Sequence, residues 1–515
     1  MGLSQVSPGV YSNELDFSLY VPALSTTKVA MIGSAPKGTP EVRTEISTEE
    51  QLINTFGVPT VNHEALHAAI QYLRQGNQLS FVRVAGYNEA TGEATVRNET
   101  DSADAVVFTP TSSGSWVNGG SSGLQVVIED GSITNTYLVT VKWRGIVVEK
   151  YDAVVLTPTT SSDFIETRME NSKYCTAEVQ GAETTMDLGT VNFTGGDDGE
   201  ELLDSDVIGT IVGNTRTGLK LFSDPDLVDI NTLCVPGNWH ENVVSEMISI
   251  CESRGDCMAV IDPPFGKSVD EIIDWHNGLG PGIYDPNAAL NSSYAALYWP
   301  KILVYDAWSD SQIYLAPSGH VTAQFALTDR DFATWFAPAG VRRGSLPSAL
   351  DVEYSAVLGD RERLYGGRAG TVGVNAVNPI ANFAGQGIQI WGQRTLQRTP
   401  TSLDRVNVRR MMIYLRKVIA TAVRYLVFEP NDDRMWADFR NLTIPFLRRV
   451  KDGRGLTDFK VIMDATTNTP EVIARNEAVG RILLKPTLAA EVITINYALL
   501  PQGARFEEFT QTTGE

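Results

Sequence analysis

The sequence predicts a multidomain chain of the mixed α/β (α+β) class, in which α/β core domains carry an inserted all-β domain and extended arms leave at both termini. Three observations predict it. Strand-like and helix-like apolar periods alternate along most of the length. A Thr-, Ser-, Gly- and Val-rich stretch from about Tyr87 to Phe193 holds only period-two patterning, and the first two dozen residues contain an alternating segment with no neighbouring strand to pair with. With 515 residues, 43% of them apolar and 20% charged, the chain is long enough for about two to four domains with sizeable cores.

The expected organisation is an N-terminal arm over 1–25, an α/β segment over 26–86, the all-β insertion over 87–194, an α/β domain over 195–395, a C-terminal domain over 396–500 and a second arm over 501–515. In the first arm Leu15, Phe17, Leu19 and Val21 alternate with Asp16, Ser18 and Tyr20, the period of a strand. Ahead of it Pro8 and Gly9 interrupt pairing beside Val10 and Tyr11, and Pro22 closes the segment. Fully extended, such an arm reaches roughly 80 Å at about 3.3 Å per residue, far enough to leave its own domain. A free strand with one apolar face needs a sheet edge to join. At the other end Pro501, Gln502 and Gly503 release a tail carrying Phe506 and Phe509.

Between the arms, Thr27–Gly33 reads as a strand followed by a Gly/Pro turn. His63–Gln75 reads as a helix with Asn62 as N-cap and Gly76 just past its end, and Leu79–Val84 as the next strand. Gln125–Glu129 and Tyr137–Val141 are strand candidates of the insertion, with Asp130-Gly131 as the turn signal between them. Gly195-Gly196-Asp197-Asp198-Gly199 marks the exit, too glycine-rich to continue a strand. Strands at Ile230–Val235, Met258–Asp262 and Ile302–Tyr305 then alternate with helices at Glu241–Arg254, stopped by Gly255, and at Ser268–Trp275, opened by a Ser268/Glu271 capping box. The segment 338–400 reads as loop. The last domain holds helices over 403–426 and after Asn431, with strands at Phe459–Met463 and Val492–Tyr497.

A formal net charge of −21 argues against nucleic acid as a direct partner, because phosphate binding needs concentrated cations. No run of eighteen apolar residues and no basic-then-apolar leader occurs, so neither membrane insertion nor a secretory signal is expected. Cys175, Cys234, Cys251 and Cys257 form no CxxC pair, which suits a reducing compartment and a core role. Charge is segregated: from Arg405 to Arg454 twelve cations face five anions, a net +7. On a helical wheel Val408, Met411, Leu415, Val418 and Ile419 share one sector, while Arg405, Arg409, Arg410, Arg416, Lys417 and Arg424 fall in the opposite half. This stripe is a candidate docking surface for an acidic partner, with Arg448 and Arg449, flanked by Arg440, Lys451 and Arg454, as a rival. A merely solvated face is the plainer alternative.

The sharpest enzyme-like pattern is His63-Glu64-Ala65-Leu66-His67, an HExxH whose imidazoles share a helix face and could hold zinc while Glu64 serves as general base. It opens its helix, and a third ligand would have to come from an acid such as Glu89 or Glu93. An ordinary first turn with Glu64 near the positive helix end is the favoured reading. Gly266-Lys267-Ser268 lacks the upstream glycine of a phosphate loop, and Gly119-Gly120-Ser121-Ser122-Gly123 lies in a loop instead of a nucleophile elbow.

Taken in order, Ser7-Pro8-Gly9-Val10-Tyr11, Phe81-Val82-Arg83-Val84, Gly195-Gly196-Asp197-Asp198-Gly199, Leu233-Cys234-Val235-Pro236-Gly237, Val377-Asn378-Pro379-Ile380, Trp391-Gly392-Gln393-Arg394-Thr395-Leu396 and Phe428-Glu429-Pro430-Asn431-Asp432 resemble the signatures of contractile phage tail sheath proteins. The resemblance implies a structural subunit and no enzyme, with no cofactor. It implies hexameric rings stacked helically around an inner tail tube, chain-end domains forming the inner layer, and terminal arms adding strands to neighbouring subunits. Val10, Tyr11, Leu15, Phe17, Leu19 and Val21 would be the inserted residues of one arm, and Phe506 and Phe509 those of the other. Further partners it implies are baseplate and tail terminator proteins, and its place would be a virion tail assembled in the host cytoplasm. The sheath of a phage-like bacteriocin or contractile injection particle would share these features. A zinc metalloprotease is the rival of another class.

Overall fold

The structure, a computed structural model, describes residues 28–157, 162–181, 183–279, 289–366 and 375–495. The arm residues Val10 to Val21, and Phe506 and Phe509, lie outside them. Six strands run parallel at the centre: Leu79–Arg83, Val29–Gly33, Thr232–Cys234, Met258–Ile261, Ala295–Trp299 and Val377–Phe383, in that spatial order. An antiparallel strand flanks each side, Arg43–Ile46 against Leu79–Arg83 and Gly387–Ile390 against Val377–Phe383. Strands buried along their whole length, such as Val29–Gly33 and Ala295–Trp299, are what a parallel sheet covered on both faces requires. The stretches 26–86 and 195–395, far apart in sequence, share this one sheet.

Most local signals hold. The helix Glu241–Arg254 ends at Gly255 with φ +65°, and Ser268 and Glu271 make the reciprocal capping bonds. The helix Glu64–Leu73 starts one residue later than its sequence suggests, with His63 and not Asn62 in the cap position. It is wedged tightly: a Cβ on Gly33 would fall 2.3 Å from the Ala65 Cβ, and one on Gly319 of the buried helix Pro317–Asp331 would fall 2.6 Å from the Ala68 Cα. Between Gly33 and Asn62 two elements were not anticipated, the strand Arg43–Ile46 and the helix Glu49–Phe56, which Thr48 caps by accepting from the Gln51 N–H at 3.2 Å; the strand Ala295–Trp299 and the helix Pro317–Asp331 were not anticipated either.

The insertion consists of two four-stranded sheets, one ordered Gly189–Asn192, Leu124–Asp130, Tyr137–Trp143, Ile146–Val154 and the other Thr194–Asp197, Ala90–Arg97, Asp104–Pro110, Cys175–Val179. Their inward residues, including Val96, Phe108, Val126 and Val141, share one buried core. Asp130 pairs with Tyr137, so the turn signal at Asp130-Gly131 opens a longer loop over 131–136. The glycine run does not end the sheet, contrary to the sequence reading: Thr194–Asp197 is a strand paired with Ala90–Arg97. Glycine is required there because Gly195 and Gly92 face each other at φ +82° and +70°, and a Cβ on Gly92 would meet the Thr194 carbonyl at 2.6 Å.

The described residues of the segment 338–400 also hold more secondary structure than expected. They contribute the helix Leu358–Tyr365 and two strands of the central sheet. All four cysteines are free and buried. No helix among the described residues is long and apolar enough to cross a membrane.

The C-terminal unit packs the helices Val406–Val423 and Asp433–Asp452 against a two-stranded hairpin, Leu456–Ile462 with Arg481–Pro486. Val408, Met411, Leu415 and Val418 form its core with Phe446, Leu447 and Val450. The expected strand Val492–Tyr497 is not formed over its described residues. Val492 and Ile493 are 85% and 79% exposed, because this alternating segment has no partner strand among the described residues.

Candidate assembly interface

The HExxH side chains are each committed to the fold. Glu64 accepts the Ala316 N–H at 2.7 Å and pairs with Lys301 at 3.3 Å, so its carboxylate caps the start of the buried helix Pro317–Asp331. Asp262 accepts the next cap bond, from the Ser318 N–H at 3.0 Å, and burial pushes its carboxyl up to about 7. His63 Nδ1 lies 2.8 Å from the Thr60 hydroxyl, and His67 Nε2 lies 3.1 Å from the Thr60 carbonyl. Burial lowers the pKa of both imidazoles. Among the described residues no group of three His, Cys, Asp or Glu is placed to hold a metal ion.

The cationic stripe also turns inward. Arg409 is buried, donates to the Ser293 carbonyl at 3.2 Å and lies 4.0 Å over the Tyr294 ring, and Arg416 donates to the Tyr294 hydroxyl at 2.9 Å. Lys417 reaches Asp229 at 2.7 Å, Arg424 reaches Asp226 at 3.0 Å, and Arg410 is buried against Asp329 at 2.6 Å. Arg405 is clamped to Glu491 and Asp404. Part of the stripe is therefore the seam between the C-terminal unit and the central domain: Arg405, Arg409 and Lys417 are engaged there, which corrects the docking role expected of them to an internal one, while Arg416 and Arg424 touch central-domain groups at its exposed margin. The physical reason is that acidic and aromatic groups of the central domain cover the first turns of this side of the helix, and solvent reaches it only around Arg416 and Arg424. Arg448 and Arg449 differ. They stand exposed on the helix Asp433–Asp452.

The hairpin Leu456–Ile462/Arg481–Pro486 is the unfinished part. Among the described residues each of its strands has one neighbour only, and Phe459, Val461, Ile482 and Leu484, on the face toward the helices, are half-buried. A two-stranded sheet is marginal alone, and a bare edge invites a further strand. Nearby, Glu491 accepts from Tyr365 Oη at 2.9 Å, Gln393 Nε2 at 3.2 Å, and Arg405 Nε and Nη2 at 2.7 and 3.0 Å. This four-donor clamp fixes the root of the exposed segment that continues toward the C-terminus. No sequence signal marked Glu491; its donors lie as many as 126 residues away.

Two family descriptions match adjacent segments of the chain: the phage tail sheath protein central domain over residues 226–396 and the phage tail sheath C-terminal domain over residues 398–499. The chain belongs to the contractile phage tail sheath family. It is 30% identical over 405 residues to the tail sheath protein of Vibrio phage KVP40, covering 73% of this chain and 57% of that one. It is 28% identical over 316 residues to the tail sheath protein of Enterobacteria phage T4, covering 59% and 47%. The chain thus spans about half the length of these curated relatives. Its fold is similar to the sheath tail protein of Desulfitobacterium hafniense, with TM-score 0.59 and 12% identity over 88% of this chain and 94% of that one. It is also similar to the contracted sheath of an extracellular contractile injection system, with TM-score 0.56 and 16% identity over 96% and 98%.

Proposed function

We propose that this chain is the polymerising subunit of a contractile tail sheath, assembling as helically stacked hexameric rings around an inner tail tube and contracting to drive that tube through a host envelope. The observation that carries the reading is the unfinished hairpin Leu456–Ile462/Arg481–Pro486 beside an exposed alternating segment rooted at Glu491. An arm from a neighbouring subunit, with Leu15, Phe17, Leu19 and Val21 on one face, has the pattern such an edge accepts. A head-to-tail exchange of this kind does not close on itself and so propagates as a filament. About five strand hydrogen bonds at roughly 0.5–1.5 kcal/mol each give a few kcal/mol per arm, weak singly and strong across a lattice.

Contraction then moves whole subunits while the arms bend and keep the mesh connected. Arg448 and Arg449 are exposed cations available for an acidic tube surface, whereas Arg405, Arg409 and Lys417 are engaged within the chain. Reversing both to Glu should spare sheath polymers and abolish tube-templated assembly; unchanged templating would remove them from that role. Baseplate and terminator proteins at the two ends, and assembly in the host cytoplasm before incorporation in a virion tail, belong to the same reading. Negative-stain electron microscopy of the purified chain tests it. Hollow cylinders with helical striations are expected, and monodisperse particles each carrying one zinc would overturn it.

A further inference from the structure

The inserted domain is hung from the central sheet by a narrow neck. Its entering and leaving segments lie side by side: the Glu200 N–H donates to the Tyr87 carbonyl at 2.9 Å, and a Cβ on Gly86 would fall 1.8 Å from the Glu200 carbonyl oxygen. A paired neck of this kind acts as a hinge unless a contact away from its axis pins it.

Beside the neck the Gly38 N–H donates to the Ser112 hydroxyl at 3.1 Å and Arg83 donates to the Ser113 hydroxyl at 2.9 Å, and the contact that enters the insertion's own core is Lys37, in the loop that leaves the strand Val29–Gly33. Only 5% of the residue is exposed. Its Nζ lies 4.6 Å from the Trp116 ring centroid, 4.5 Å from Trp143 and 4.3 Å from Tyr174, and donates to the Asn54 carbonyl at 2.9 Å. The rings come from three parts of the insertion: the turn Ser115–Val117, the end of the strand Tyr137–Trp143, and the residue before Cys175–Val179. They also contact one another, with centroids 5.9–6.4 Å apart, and Trp116 Nε1 is held by the Ser112 carbonyl at 3.2 Å. The aromatic wall of the socket therefore belongs to the insertion, and the lysine with its Asn54 carbonyl acceptor to the central domain.

Burying an ammonium is costly, and an apolar side chain would fill the same volume without that cost. Burial draws the Lys37 ammonium down to about 8 while Glu149 pulls it back up, so at pH 7 the charge is retained. Aromatic faces attract a cation electrostatically, and most strongly where water is excluded. Three such faces converging on one nitrogen, with a carbonyl acceptor beside them, are the chemistry that recognises an alkylammonium group. We propose that Trp116, Trp143 and Tyr174 form an alkylammonium-binding socket, filled from within by Lys37, and that this latch holds the inserted domain in a fixed orientation on the central sheet.

The test uses the full chain, with hydrogen exchange of the peptides containing Trp116, Trp143 and Tyr174 as the readout. Lys37→Met keeps the stem and removes the charge; Lys37→Ala removes both and leaves room for n-propylammonium, the missing part of the side chain. Both variants should exchange at least about tenfold faster at these peptides than the wild type. Millimolar n-propylammonium should restore protection to Lys37→Ala, and 1-propanol, which offers the same stem and a hydrogen-bond donor without charge, should not. Wild-type protection in Lys37→Met, rescue by 1-propanol equal to that by the ammonium, or no rescue by either would each overturn the proposal.

Discussion

Arg410 offers the most quantitative check on the inward turn of the cationic helix. Its guanidinium is 6% exposed and sits 2.6 Å from the Asp329 carboxylate, which is 1% exposed, with the Phe325 ring 4.3 Å away. Replacing Arg410 by Met keeps a stem of similar length and leaves Asp329 without this charge partner in a site water hardly reaches. Breaking a buried pair in this way costs about 3–5 kcal/mol, because the surviving charge keeps its desolvation penalty. Exposed cations should cost almost nothing: Arg448→Ala, on the solvent side of its helix, should change stability by less than about 0.5 kcal/mol. Denaturant unfolding followed by tryptophan emission would measure both. A double variant, Arg410→Met with Asp329→Leu, should recover most of the loss, since apolar replacements of a buried pair are often neutral. A cost under about 1 kcal/mol for Arg410→Met, or an equal cost for Arg448→Ala, would refute the assignment of this face to the domain seam.

Two buried groups should tilt the pH dependence of stability in opposite directions. His320 is held near pKa 3 by burial against an ordinary 6.5, so the native state resists the proton that the unfolded chain takes up. Its contribution is present above about 6.5 and is lost as pH falls toward 3, and His320→Leu should therefore flatten the acid limb of the unfolding curve. Asp262 is held near 7 against 3.8, so the native state takes its proton more readily than the unfolded one. Its effect is a gain in stability as pH falls from about 7 toward 4, which Asp262→Asn should abolish. Glu64→Ala leaves the Ala316 N–H and the Lys301 ammonium without their acceptor and should cost about 1–3 kcal/mol; calorimetry measures it, and stoichiometric zinc lost on this change would instead return the HExxH to a metal role. Glu491→Ala releases four donors and should make the segment after residue 486 cleave sooner under limited proteolysis; an unchanged cleavage rate would remove the clamp from the account.

Local chemistry made much of the fold legible. The helix Glu241–Arg254 and the Ser268/Glu271 capping box are written in residues that touch one another in sequence, and the fully buried parallel strands appear as short continuous apolar runs. What escaped has identifiable causes. Thr48-Glu49-Glu50-Gln51 is a capping-box pattern that opens the helix Glu49–Phe56, a short signal set beside a Gly- and Pro-rich turn that masks it. The strand Val377–Phe383 carries Pro379, which ordinarily counts against a central strand, but its register with Ala295–Trp299 stops at that proline. The glycines of Thr194–Asp197 mark a close backbone crossing, not a break.

The amphipathic cationic helix was legible in sequence, and what covers its face was not. An amphipathic helix with a cationic face reads the same whether solvent, a partner or another domain covers that face. Here the deciding acceptors, such as Asp329 for Arg410 and Asp229 for Lys417, lie 81 and 188 residues away along the chain. The unfinished hairpin could be foreseen only in part, because an alternating strand announces that it needs an edge without saying whose. The Lys37 socket left no trace in sequence, since its three rings converge from positions spread over the insertion.

The most direct measurement of the central claim is electron microscopy of the full chain beside a variant lacking residues 1–20. The account predicts hollow striated tubes from the full chain, and from the truncation a folded particle of unchanged secondary structure that forms no tubes. Normal tubes from the truncation would contradict it, because the lattice would then be held by something other than an N-terminal arm completing a neighbour's sheet.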